Sequence, residues 1–209
     1  MDFLVTMTTH VPDGTATDTV DRVRTREAEH SAELARRGRL LRLWRPPLQP
    51  GEWRTLGLFA AADGDVLEQA LASMPLRVWR SDEVMPLSAH PNDPMLAGKT
   101  TDGFDGPEFL IAMTITVPQG TPAAVVDDTM AAEARRAREL AGQGHLLRLW
   151  ALPGTPGVRH TLGLWRARDA AEMAAVVEAL PLYAWMDVQT TPLTVHPNDP
   201  ALQQREPHA

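Results

Sequence analysis

The fold class this sequence predicts is α+β, with two βαββαβ domains in one chain. Three observations carry that expectation. The pentapeptide HPNDP stands at 90–94 and again at 196–200. The same offset aligns most of the chain without a gap: FLVTMTTHVPDGT from Phe3 with FLIAMTITVPQGT from Phe109, LLRLW at 40–44 with 146–150, TLGL at 55–58 with 161–164, and MPLRVW from Met74 with LPLYAW from Leu180. Each repeat also carries the same order of strand and helix signals. A unit of about one hundred residues is too long for a solenoid repeat, so the pattern reads as a domain duplication. Copy one is expected over 1–94, copy two over 108–200 and a tail over 201–209. The segment between the copies, MLAGKTTDGFDGP at 95–107, holds three glycines and no periodicity, and reads as a linker.

The elements of copy one follow in order. FLVTMTTHV is a short apolar, β-branched run ended by Pro12 and Gly14, a strand signal. From Thr17 to Arg37 the chain has no Gly or Pro, is rich in Ala, Arg and Glu, and is stopped by Gly38, which predicts a helix. RLLRLWR is a strand closed by the loop PPLQPG, RTLGLFA the next strand, DGDVLEQALAS a short helix, and RVWRSDEVMPL the last strand. The order strand–helix–strand–strand–helix–strand is the ferredoxin-like arrangement. It places both helices on one face of a four-stranded sheet and leaves the other face to be covered. A second copy is the natural cover, so the expected architecture is two sheets packed face to face as an intrachain α+β barrel.

Composition narrows the function classes. A formal charge of −7 argues against a nucleic-acid backbone as partner. There is no cysteine, hence no disulfide and no thiolate metal site. The seven histidines show no metal-ligand spacing, and no metal is expected. Neither a glycine-rich phosphate loop nor a nucleophile elbow is present. No apolar run approaches membrane-spanning length, and the N-terminus lacks a signal-peptide pattern. A cytoplasmic protein is the expectation.

The long helix carries the sharpest signal. Val126, Met130, Glu133, Ala137 and Leu140 form an apolar stripe at helical spacing, interrupted by one carboxylate. The matching set in copy one is Val20, Arg24, Glu27, Ser31 and Leu34. A carboxylate facing a half-apolar pocket has a raised pKa and suits proton transfer near neutral pH. The same position also fits a glutamate at the edge of the stripe, reaching water or an arginine. On the third strand, Trp53, Thr55, Gly57 and Phe59 share one face, as do Arg159, Thr161, Gly163 and Trp165 in copy two. The glycine leaves room for a small ligand, or else accommodates sheet twist. Alternation in LLRLW puts Leu40, Arg42 and Trp44 on one face. Arg42 and Arg148 are then either anion ligands or charges stacked on tryptophan. His90 and His196 sit in Pro-bounded turns and are read as structural, each segment stopping the last strand and directing the chain across the neighbouring domain.

Taken together, FLVTMTTHVP, REAEHSAELARRG, LLRLWR, MPL and the closing PLSAHP resemble muconolactone Δ-isomerase, and LPLYAWMDV from Leu180 is similar to the same family. The resemblance implies a ferredoxin-like subunit of the dimeric α+β barrel type. It also implies a cofactor-free proton shift on a small unsaturated lactone or carboxylate of aromatic degradation. The family's helix lysine and glutamate fall on Arg24 and Glu27, and on Met130 and Glu133 in copy two. Its tyrosine and asparagine on the third strand fall on Trp53 and Thr55, and on Arg159 and Thr161. The resulting expectation is an isomerase with no cofactor, catalytic Glu27 and Glu133, and a substrate wall of Arg24, Arg42, Trp53, Thr55, Arg159 and Thr161. Its partner is a small lactone or carboxylate, with a homo-oligomer of the two-domain chain compatible. Two alternatives stand beside it: a non-catalytic small-molecule-binding or assembly protein on the same fold, and a cofactor-free monooxygenase or cyclase.

Overall fold

The structure, a computed structural model, describes residues 1–98, 104–154 and 157–203. It divides into two compact units. Unit 1 is Met1–Leu87 with the segment from Thr194 onward, and unit 2 is Ser88–Leu193. The HPNDP of each repeat is thus built into the unit formed by the other repeat.

Unit 1 contains β1 (Asp2–Thr9), α1 (Thr17–Arg36), β2 (Leu40–Arg45), β3 (Arg54–Ala60), α2 (Gly64–Ser73), a 3₁₀ turn at Pro75–Trp79 and most of β4 (Arg80–Ala89). Its strands lie in the order β4–β1–β3–β2, each antiparallel to its neighbour, with Thr194 and Val195 added at the β2 edge. Unit 2 repeats the plan with β5 (Glu108–Thr116), α3 (Ala123–Gly142), β6 (Leu146–Leu152), β7 (Val158–Arg166), α4 (Ala170–Glu178), a 3₁₀ turn at Tyr183–Trp185 and most of β8 (Met186–Val195). Its order is β8–β5–β7–β6, with Ser88 and Ala89 at the β6 edge. The α+β class and the twofold βαββαβ order are those the sequence predicts.

Helix α1 ends where a left-handed residue is required. Gly38 has φ +66°, its N–H donates to Ala35 O, and the Arg39 N–H donates to Leu34 O, the paired bonds of a Schellman stop. Gly144 closes α3 in the same way, through Ala141 O and Leu140 O. The helix-facing side of the unit 1 sheet packs Phe3, Val5, Met7, Leu40, Leu43 and Phe59 against Leu34, Leu67 and Leu71. Unit 2 mirrors this with Phe109, Ile111, Met113, Leu146, Leu149 and Trp165 against Leu140, Met173 and Val177.

Three expectations change in detail. RVW at 77–79 is part of the 3₁₀ turn opened by Pro75, so β4 starts only at Arg80 and runs on to Ala89; the turn uses a residue with no N–H to give a ladder. Strict alternation fails in β2, where a register shift lies between Leu40 and Arg42. The bulge turns Leu40 to the same side as Leu43 instead of the side of Arg42 and Trp44. A short 3₁₀ turn at Pro94–Ala97 takes in the first three residues of the 95–107 linker, and 99–103 lie outside the described residues. In the 201–209 tail, a one-turn helix α5 covers Pro200–Gln203 and 204–209 lie outside the described residues.

Candidate active site

In unit 1, the buried residues of α1 are Glu27, Ser31 and Leu34, spaced four and three so that they share the face turned to the sheet. Glu27 is 9% exposed, and its carboxyl sits at a cavity of about 190 Å³ between α1 and the sheet. Its partners come from the stretch after α2. The Leu76 N–H, freed by the 3₁₀ turn, donates to Oε2 at 2.8 Å. Arg80, at the start of β4, donates to Oε1 at 3.1 Å. Burial pushes the Glu27 pKa above the ordinary carboxyl value, against the opposing pull of the Leu76 N–H and the Arg80 charge. The net result is a carboxyl that holds its proton more readily than an exposed glutamate does.

The walls carry the other polar groups. Arg24 stands one turn before Glu27, with its guanidinium 5.3 Å from the Trp53 ring, a cation–π arrangement. Thr55 and Arg45 line the cavity from β3 and β2, and His196 and Asn198 from the second HPNDP. The Asn198 N–H donates to His196 Nδ1 at 3.1 Å, so the proton of the neutral ring lies on Nε2. Burial, together with the charges of Arg45 and Arg24, pushes the His196 pKa down to about 4. One carboxyl, two arginines at the rim, one buried arginine and a neutral imidazole suit an anionic ligand whose protons are to be moved.

The sequence-predicted residues are distributed as follows. Glu27, Arg24, Trp53 and Thr55 meet at the unit 1 cavity. Glu133, Arg159 and Thr161 meet at a cavity of about 200 Å³ in unit 2, where the Leu182 N–H donates to Glu133 Oε2 at 3.0 Å. Burial raises the Glu133 pKa as well. Arg42 does not line the cavity: it stacks over Trp44 at 4.8 Å and pairs at 3.0 Å with Asp199, which is fully buried and also accepts from the Leu43 N–H. Arg148 has the same geometry with Trp150 and Asp93. Nor do the glycines make ligand space. A Cβ on Gly57 would meet the Phe59 ring at 2.5 Å, and one on Gly163 would meet Trp165 Nε1 at 2.1 Å. The aromatic two residues along fills the gap; Thr55 lines the unit 1 cavity from β3, and Arg159, Thr161 and Trp165 line the unit 2 cavity from β7.

Sequence reading missed Arg80, Arg45, His196 and Asn198. Only the last two had a visible signal, the repeated pentapeptide itself. In HPNDP, the aspartate ties the chain to an arginine–tryptophan pair while the histidine and asparagine face the cavity.

The family model for muconolactone delta-isomerase matches residues 1–93 and again 108–199. The muconolactone delta-isomerase of Acinetobacter baylyi is 30% identical over 92 residues, which span 44% of this chain and 93% of that one. The enzyme of the same name from Rhodococcus opacus is 26% identical over 91 residues, 44% of this chain and 95% of that one. Among solved structures, chlorite dismutase from Candidatus Nitrospira defluvii covers 97% of this chain and 94% of its own at a TM-score of 0.58 and 13% identity, a likeness of fold alone.

Proposed function

Since this chain belongs to the muconolactone delta-isomerase family, we propose that unit 1 catalyses a cofactor-independent proton shift on a small unsaturated lactone bearing a carboxylate, of the muconolactone type. The observation that carries this reading is the buried Glu27 carboxyl at a cavity whose rim holds Arg24 and Arg45. The rim arginines take the substrate carboxylate, since an anion entering a partly dry site needs a paired cation. Glu27, ionised, removes a proton from the ring carbon. Electrons move toward the lactone carbonyl, giving a dienolate, and the proton held on Glu27 is delivered two carbons along. The developing oxygen charge is met by donors on the wall, His196 Nε2–H and the Asn198 amide. No proton or electron is gained or lost overall.

Two substitutions separate the roles. Glu27→Gln keeps the shape and lowers kcat by about 10²–10⁴-fold, the usual loss on removing an acid/base group. Arg24→Met, which installs the residue found at Met130, raises KM with kcat changed far less, because the carboxylate is held equally in ground and transition states. A Glu27→Gln enzyme within a few-fold of the parent on folded protein contradicts the reading.

A further inference from the structure

The two cavities are alike in size and differ mainly in one direction, with Arg159 in place of Trp53 as the exception. Thr9, Arg24, Ser31 and Arg80 line the cavity of unit 1, whereas Ile115, Met130, Ala137 and Met186 stand at the corresponding places in unit 2. Each exchange replaces a hydroxyl or a guanidinium by an apolar group. The carboxyl is kept as Glu133, and the histidine and asparagine of HPNDP as His90 and Asn92. Glu133 accepts from the Leu182 N–H through Oε2, and among the described residues Oε1 has no hydrogen-bond partner. Among the described residues, the guanidinium of this wall is that of Arg159, which is exposed, with Nη1 3.3 Å from Met130 Sδ.

An anion placed here would meet Glu133 with Arg159 turned toward Met130 as its rim cation, whereas unit 1 has two rim arginines and an Arg80 that already pairs Glu27, so an anion is less well paired in unit 2. A neutral molecule meets no such penalty. Apolar cavities of roughly 150 Å³ hold benzene, so about 200 Å³ admits a single ring with a small substituent. Methionine sulfur against an aromatic ring is a favourable contact, and Met113, Met130 and Met186 all line this space. We propose that unit 2 binds a neutral single-ring molecule of the phenol class, its hydroxyl donating to Glu133 Oε1 and its ring lying among the methionines. Unit 2 is then a second ligand site with its own selectivity. The inference is independent of the reaction assigned to unit 1, which Glu27→Gln tests by itself.

The probes are 4-methylphenol, neutral at pH 7 as tyrosine is, and its anionic counterpart 4-methylbenzoate. The full chain carries ¹⁵N-labelled indoles. Trp165 lines the cavity, and its indole cross-peak is identified by its loss in Trp165→Phe, a change to the residue that copy one has at Phe59. The expected result is a saturable shift of the Trp165 peak with 4-methylphenol and none with 4-methylbenzoate at the same concentration. The double variant Met130→Arg/Arg159→Trp, which rebuilds the Arg24–Trp53 pair, is expected to gain the response to 4-methylbenzoate. An unmoved Trp165 peak at the highest soluble 4-methylphenol overturns the proposal. So does a benzoate response as strong as the phenol response in the parent chain. A double variant still blind to 4-methylbenzoate overturns the claim that the missing arginine sets the choice.

Discussion

Glu27 and Glu133 hold the same helix position and accept from the matching backbone N–H, yet among the described residues only Glu27 is ion-paired with an arginine, while Glu133 has Arg136 merely as a nearby charge. The difference lies in one residue, Arg80 against Met186. Across the unit 1 cavity, His196 is the other titrating group. Its folded pKa of about 4 lies below the ordinary 6.5, and its Nδ1 already accepts from the Asn198 N–H, a role a protonated ring cannot keep. A depressed pKa gives stability that is present above pH 6.5 and lost as pH falls toward 4. Allowing for partial solvent screening, the loss across that window is about 1–2 kcal/mol. Urea midpoints at pH 7.5 and pH 4 are expected to fall more in the parent than in His196→Gln, which has no proton to take up. Identical pH dependence in the two proteins would show that the imidazole is not held neutral by its surroundings. Glu27 acts in the opposite sense: its raised pKa favours the folded state at low pH, so only the difference between parent and variant isolates His196.

Among the strands, β4 and β8 are the most divergent pair. Arg80 and Asp82 lie on one face of β4, paired at 2.6 Å with both side chains 2% exposed, and Arg77 also reaches Asp82. In β8 the same positions are Met186 and Val188, partly buried against the unit 2 core. Arg80→Met alone removes the partner of two carboxylates and is expected to cost about 3–5 kcal/mol. Arg80→Met/Asp82→Val reproduces the packing of β8 and is expected to cost less than the single change. Urea denaturation of the two variants checks this, and a double variant less stable than the single one contradicts the packing argument. This pair also shows what the sequence conceals. The stripe on α1 and α3 made Glu27 and Glu133 legible, because a helix has a fixed period and a carboxylate breaks it visibly. The partner of Glu27 comes from β4, 53 residues on, and no local periodicity links an arginine at a strand start to a helix so distant. The bulge in β2 was hidden for a similar reason, since LLRLW alternates in letters while one extra residue shifts the backbone.

For the molecule as a whole, the gap-free repeat was enough to read the α+β class and the order of elements, because each copy repeats local signals of strand, stop and helix. The crossing expected of each HPNDP segment is present in the compact units: unit 1 takes Thr194 onward, and unit 2 takes Ser88 onward. What the repeat could not disclose is a place for the histidine at a cavity, since in sequence it has no neighbour to act with. In the fold that histidine borders the Glu27 cavity, having travelled from the far repeat. The divergence of the cavity walls was legible in part: Arg24 against Met130 and Trp53 against Arg159 stand in the aligned sequence, whereas Arg80 against Met186 matters only once the fold brings them to the cavities.

On the function proposed for unit 1, that divergence leaves the two glutamates with unequal tasks. Deuterium uptake by a muconolactone-type lactone acid in heavy water, followed by NMR, reads proton transfer at carbon without relying on net turnover. The parent chain is expected to exchange, Glu133→Gln to exchange at a rate within a few-fold of it, and Glu27→Gln to lose about 10²–10⁴-fold. Equal losses in the two variants, on folded protein, would contradict the assignment of the reaction to unit 1.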